Sequence, residues 1–498
     1  MLKRLFSSST DHPLADVKEA RRVLTELATR EPAIGIEEAA TWLESMAADE
    51  GFKLEQRLDV ALQLDEVAAA HSRRLAREYL TAPRLGRSQE MKLWQENHGF
   101  WVALIQVYEL CLAAFEAKAK GADDIKPRLP LLHCRLLNAF EARLKWEQFR
   151  YGPIDGRLWQ SAGRIYLSAV ANKIALKGVQ LYSTVVGETH VEREYLRLLV
   201  FQASAMNNLM PLEIEIAERL IAHFLPRFVF TDQVRPDNVH WVDAAKPLPP
   251  TRLAKLPEIT PTLRFFNAGA ALEAVAELRA RVEQTGEAPA DLALGGQYSV
   301  RALVGVFDHL VSNWAPKPPM RSHARHPVKS RLAVVYGLDN ITTRLVGAPS
   351  GIEPESWVVD DVSVGGMGAQ VQIGVRDWIR IGVLLGLQPD GGNNWLLAVV
   401  RRFTRESDRQ GSVGVETLGK TPRAITADSA GLRTDVILLE SAIEAGSIVR
   451  VVMPINAWED RVAMTFAHEG RTARLQPLKL VETGPDYVIG SYTVTSLD

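Results

Sequence analysis

The sequence predicts a multidomain α+β protein. It begins with an N-terminal all-α helical bundle or helix-pair stack and continues into a small antiparallel β-barrel followed by a further small β-unit. Three observations predict it. Apolar residues recur at helical spacing through about the first 230 residues, two proline clusters interrupt the pattern, and from residue 328 onward the period drops to two.

The helical region opens with Leu14 to Arg30, where Val17, Ala20, Val23, Leu24, Leu27 and Ala28 fall near one face. Similar patterns run over 37–49, 52–81, 88–120, 131–149, 156–176, 190–206 and 211–225. Gly51, Pro83, Gly121, Pro130, Pro153 and Pro211 separate them. Stacked helix pairs would show a fixed period, and none holds here; Trp42, Trp94, Trp146 and Trp159 are irregularly spaced.

Residues 231–315 read as a proline-rich connector with short strands and two helices. FVFT and VHWV look like short strands. Pro247, Pro249, Pro250, Pro257 and Pro261 then preclude a regular helix and favour extended chain. Helical patterning returns at 269–284 and 298–314, and Pro316, Pro318 and Pro319 close this segment. Beyond it, SRLAVVYGL, SWVVDDVSV, AQVQIGV, IRIGVLLGLQ, NWLLAVVRRF and GSVGVETL read as short strands. Gly351, Gly365, Gly374 and the Pro389–Asn394 turn separate them. Many short strands at close spacing predict a barrel or sandwich over 316–420. VILLE, SIVRVVMPI, RVAMTFAH, ARLQPLKLV and DYVIGSYTV predict a second β-unit over 421–498. The expected domains are therefore 1–230, 231–315, 316–420 and 421–498.

The formal net charge is −2, so no overall pull toward nucleic acid or membrane is expected and any anion site must be local. Cys111 and Cys134 lie in apolar helical stretches and read as reduced core thiols, without a disulfide framework or zinc site. No signal peptide and no run of 18 apolar residues is found, so a cytoplasmic protein without a transmembrane segment is expected.

The local basic site is residues 317–331, KPPMRSHARHPVKSR, with five Lys or Arg and no acid. Proline keeps this arm from forming helix and pushes the residue before Pro327 toward extended geometry. It contains Arg321-Ser-His-Ala-Arg325. Asp361-Val-Ser363-Val-Gly365-Gly366 follows downstream and fits D/N-x-S-x-x-G. A guanidinium fork matches phosphate oxygens or the O6/N7 edge of guanine. A carboxylate accepts from guanine N1–H and N2–H, and a hydroxyl can serve phosphate or base. Asp361 and Ser363 are two apart and so share a strand face. Gly365 and Gly366 permit a bend or a close approach.

These two motifs, in this order, resemble the PilZ family of cyclic di-GMP receptors. NWLLAVVRRF and Val413-Gly-Val-Glu416 are similar to the family's Trp-containing strand with its Val-Val-Arg ending and to its final strand. The resemblance covers about 316–420. It implies a PilZ-like antiparallel barrel that binds cyclic di-GMP through Arg321, Arg325, Asp361, Ser363 and Gly366. Arg401 and Arg402 are expected on opposite faces of their strand. His323 and His326 are expected to assist the basic arm; no metal site is expected.

No catalytic signature appears. G-x-x-x-x-G-K-[ST], H-E-x-x-H and G-x-S-x-G are absent, and Gly295-Gly296 is followed by Gln-Tyr-Ser, unlike a cyclase motif. The expected function is a non-enzymatic receptor, with a protein partner reached through the helical domain. The alternative is an adaptor or scaffold whose barrel binds a protein without nucleotide. Motility, pili, exopolysaccharide and virulence all fit the family, and the sequence does not choose among them.

Overall fold

A computed structural model of the chain describes residues 10–81, 86–292, 294, 298–318, 323–348, 353–374 and 377–497. Pro83, Pro319, Arg321, Gly295, Gly296 and Gly351 lie outside the described residues. The chain forms two compact units. One comprises Met1–Phe149, Ile154–Met206 and Pro211–Pro319; the other comprises Arg150–Pro153, Asn207–Met210 and Met320–Asp498.

The first unit is mainly helical. Its helices are α1 (Val17–Thr29), α2 (Pro32–Ala48), α3 (Leu54–Thr81), α4 (Arg87–Glu116), α5 (Ala122–Ile125), α6 (Leu129–Gln148), α7 (Gly156–Ala171), α8 (Val191–Ala203) and α9 (Pro211–Phe224). Local chemistry starts them. The Asp16 carboxylate accepts from the backbone N–H of Lys18 and Glu19 at 2.9 Å, and Pro32 and Pro211 occupy first-turn positions where a missing N–H costs nothing. Ala20, Val23, Leu24 and Leu27 are buried as the period predicts, but Val17 and Ala28 are exposed because they lie at the helix ends. Helix α4 packs on α2, α3 and α6, and α3 also meets α9. A linear stack of helix pairs does not make that distant contact, so the arrangement is a bundle.

Helix α4 is also long and apolar enough to cross a membrane by length and composition, a feature a search for uninterrupted apolar runs misses. Its Phe100, Leu104, Val107, Tyr108, Cys111 and Leu112 are buried against the other helices.

Charged groups are built into this bundle. Asp65 is fully buried and accepts from Tyr108 at 2.8 Å, Tyr182 at 3.0 Å and Arg135 at 2.8 Å. Burial pushes its pKa up despite the Arg135 charge. A second network surrounds a cavity of about 190 Å³ lined by Trp101, Glu141, Lys145, Trp146, Arg197 and Glu218, among others.

The same unit continues through β1 (Val229–Thr231), β2 (His240–Asp243), β3 (Thr251–Arg252) and β4 (Leu263–Asn267), a sheet in the order β1-β4-β2-β3, and then α10 (Ala271–Thr285) and α11 (Val300–Trp314). The sequence pattern does not reveal strand β4. All five of its residues are buried, so it shows no alternation, and it directly follows the prolines. Trp314 ends α11 and donates to Ser204 Oγ at 2.9 Å.

The second unit holds two closed six-stranded antiparallel barrels. The first is β5 (His326–Tyr336), β6 (Glu355–Ser363), β7 (Gly366–Gln372), β8 (Leu384–Pro389), β9 (Leu396–Arg405) and β10 (Gln410–Gly419), in the order β10-β7-β6-β5-β8-β9. A short α12 (Leu338–Leu345) lies between β5 and β6. Alternation sends Trp357, Val359, Ala369, Leu387, Val400 and Val413 inward. The second barrel is β11 (Arg423–Ser429), β12 (Leu432–Leu438), β13 (Ile448–Pro454), β14 (Met464–His468), β15 (Arg471–Thr483) and β16 (Tyr487–Leu497), in the order β11-β12-β13-β16-β15-β14. Closure removes the exposed strand edges that would otherwise invite aggregation. The two barrels share an apolar seam of Val335, Ile341, Leu397 and Val399 with Ile437, Val452, Tyr487 and Ile489.

The first barrel is completed from far upstream. Tyr151 is 2% exposed inside its core and stacks obliquely near Phe403, with ring centroids 5.5 Å apart. Its hydroxyl accepts from Ile381 N–H at 3.3 Å, and its carbonyl accepts from Arg405 N–H at 2.8 Å. Asp377 joins Arg150 (2.6 Å) to Arg405, whose Nε also donates to the Arg150 carbonyl at 2.6 Å.

Candidate functional site

The basic arm differs from a loose segment lying across the barrel. From His326 it is already strand: His326 faces Val362 and Pro327 faces Asp361 across the β5–β6 ladder. A bulge between Pro327 and Ser330 absorbs Val328 and Lys329. Of the described arm, 317–318 and 323–325 precede the ladder.

A second bulge, in β6 between Val359 and Asp361, sets the acid. Val359 points into the core, and the extra residue Asp360 turns outward to accept from Gln370 Nε2 at 3.0 Å. The next residue, Asp361, therefore also faces outward, opposite Gly368 of β7. There Arg325 Nη1 donates to Asp361 Oδ1. A Cβ on Gly368 would lie 3.1 Å from both atoms, so the missing side chain at 368 is the seat on which the pair rests. The pair is partly solvated, with side chains 26% and 32% exposed. Such pairs contribute about 0–1 kcal/mol. A ligand that separates them loses little.

Ser363 sits at the end of β6, and its hydroxyl donates to the Gly366 carbonyl at 3.1 Å, closing the β6–β7 turn. At Gly366 a Cβ would fall 2.0 Å from the Val415 carbonyl oxygen, so glycine is what lets β7 and β10 close there. At Gly365 a Cβ would lie 3.3 Å from the His323 ring, which brings that histidine to the same turn. Of the residues singled out in the sequence, Arg325 and Asp361 are joined, and Ser363 and Gly366 form the adjoining turn. Arg321 lies outside the described residues.

Arg401 and Arg402 do not alternate. Opposite Gly414 and Val415 stand Arg402 and Val400, so Arg401 is the extra residue of a bulge. Arg401 reaches Glu416 at 2.7 Å and the second barrel's Glu482 at 2.8 and 2.6 Å. Arg402 is exposed beside Gly414, where a Cβ would lie 3.4 Å from the arginine Cβ. Strict alternation cannot foresee an inserted residue. Gly368 and Gly414 were equally missed, although two outward glycines on adjacent strands are a visible signal once register is known.

Comparison with known proteins bears on the other unit. Residues 18–236 match the family model of the cyclic-di-GMP receptor FimW, N-terminal domain. The match is less than half of the 498 residues; it runs from α1 past β1 and ends before the first barrel. It does not reach 316–420, whose likeness to PilZ rests on the motifs above. No curated protein matches the chain. Among the described residues, no cluster of three or more His, Cys, Asp or Glu side chains could hold a metal ion.

Proposed function

We propose that this chain is a non-enzymatic cyclic di-GMP receptor, with the messenger bound on the outer face of a PilZ-like first barrel and the helical domain, residues 1–230, serving a protein partner. The observation that carries the reading is the Arg325–Asp361 pair seated over Gly368, since two motif residues 36 positions apart meet on one solvent-facing patch. Support for the same ligand comes independently from the other end of the chain, where the matched family is described as a cyclic-di-GMP receptor.

In this reading Arg325 leaves Asp361 for a phosphate, where a charge-assisted fork is stronger than a solvated surface pair. Asp361 then accepts from guanine, and Ser363 and Gly366 shape the adjoining turn. Arg321 supplies the second guanidinium of the R-x-x-x-R motif. Ligand binding changes the protein only if it favours one arrangement over another, and release of Arg325 from Asp361 is the proposed difference.

Calorimetric titration of the full chain with cyclic di-GMP tests this, with GTP and linear pGpG as controls. Arg325→Ala and Asp361→Ala are each expected to weaken binding about ten- to a hundredfold, the equivalent of hydrogen bonds to charged groups at about 1.5–3 kcal/mol. A wild-type chain that binds none of the three at low salt, or two variants with unaltered affinity, would refute the assignment.

A further inference from the structure

The row that seats Arg325 and Asp361 continues across the barrel. Asp361 faces Gly368, Gly368 faces Gly414, and Gly414 faces Arg402. Their neighbours Met367, Ala369, Val413, Val415 and Phe403 point inward, so this row lies on the outer surface. Directly opposed Cβ positions are generally about 4.5–5.5 Å apart, and a Cβ at Gly414 would come still closer, 3.4 Å, to that of Arg402. Two glycines side by side therefore let two arginines lie close to the backbone, Arg325 over one and Arg402 over the other. An ideal Cβ at 414 would be 3.7 Å from Arg402 Nε, just as one at 368 would be 3.1 Å from Arg325 Nη1.

The arginines differ in what holds them. Arg325 is paired with Asp361, whereas Arg402 makes no ion pair among the described residues. It reaches this surface only through the bulge at Arg401; without that extra residue, alternation from Val400 would aim it at the core.

The chemistry of the seat suggests what replaces the Arg325 contact. A guanidinium and the N1–H/N2–H edge of guanine both present adjacent donors to a carboxylate. Adenine places a ring acceptor there, which a carboxylate rejects. A base that takes the seat over Gly368 with its donor edge at Asp361 turns its O6/N7 edge toward Gly414. The group waiting there is a guanidinium, the best match to two adjacent acceptors.

We propose that Arg402 is a guanine-reading residue of this site, contacting the O6/N7 edge of the base whose other edge is held by Asp361. This rests on the cyclic di-GMP reading above and assigns its base selectivity.

The test is titration of the full chain and of Arg402→Ala and Arg402→Lys with cyclic di-GMP and cyclic di-AMP. Both variants are expected to weaken cyclic di-GMP binding about five- to a hundredfold while leaving the weaker cyclic di-AMP binding nearly unchanged. Lysine keeps the charge but lacks the planar fork, so failure of Arg402→Lys to restore selectivity separates base reading from attraction to phosphate. Equal losses for both nucleotides, rescued by lysine, would overturn the proposal in favour of a phosphate contact. Unchanged selectivity in both variants, with wild-type binding intact, would overturn it while leaving the receptor reading standing. A wild-type chain without cyclic di-GMP binding would end both.

Discussion

Tyr151→Ala is expected to destabilise the barrel unit by about 3–5 kcal/mol, the range for truncating a large buried aromatic side chain. The ring is 2% exposed among Phe403 and the inward residues of β7 to β10, so its loss leaves a cavity that strands closed into a ring cannot easily collapse to fill. The substitution also removes the acceptor for Ile381 N–H. Tyr151 has a φ of 63°, a left-handed conformation that costs a bulky residue about 1–3 kcal/mol. That cost is tolerated because the ring, the Arg405 backbone bond and the Asp377 bridge all hold it. Urea unfolding followed by Trp357 and Trp378 fluorescence reads the effect. A midpoint unchanged from wild type would contradict it. By the same reasoning, a fragment beginning at residue 316 lacks 150–153 and 207–210 and should unfold at lower urea than the barrel in the full chain.

Arg197→Met is expected to cost the helical unit about 3–5 kcal/mol, because it strands buried carboxylates. Arg197 donates to Glu218 and lies 3.1 Å from Glu141, and both acids are nearly fully buried. Burial pushes the Glu141 pKa up to about 7, with Arg197 opposing. Burial also works against an ionised Glu218, yet Lys145 and Arg197 outweigh it and hold that pKa low. The sign for Glu141 follows from its raised value. Its contribution is fully present below the unfolded value of about 4.5 and is lost as pH rises through about 7. Removing Arg197 raises Glu141 further and takes away one of the charges that hold Glu218 low. The penalty should therefore be larger at pH 8, where the acids must carry charge, than at pH 5.5, where protonation relieves it. Urea unfolding of wild type and variant at the two pH values measures this. A penalty independent of pH would mean that Arg197 acts by packing its stem rather than by charge.

Helices and strands were legible here to different depths. Helices α1 to α4 and α6 to α11 announce themselves by period, proline and caps, since those signals act within one or two turns. The strands of both barrels show in their alternation, apart from β11, whose RAITADS pattern is weakly apolar; in the helical unit β4 escapes because it is buried on every residue. The short α12 after SRLAVVY escaped because Gly337, at a φ of 82°, turns the chain out of the strand where the sequence shows only a continuing apolar run.

The amino-acid sequence by itself determined the α-then-β order, the two β-units, and the pairing of an arginine motif with an acid-and-serine motif. Each of these depends on local pattern or on residue chemistry. Tertiary structure alone decided that Tyr151 belongs to a barrel beginning 175 positions later at His326, that bulges at Asp360 and Arg401 re-aim Asp361 and Arg402, and that Gly368 and Gly414 lie side by side. Ladder register and long-range closure are properties of paired strands, and no single strand carries the information that aligns it with its neighbours.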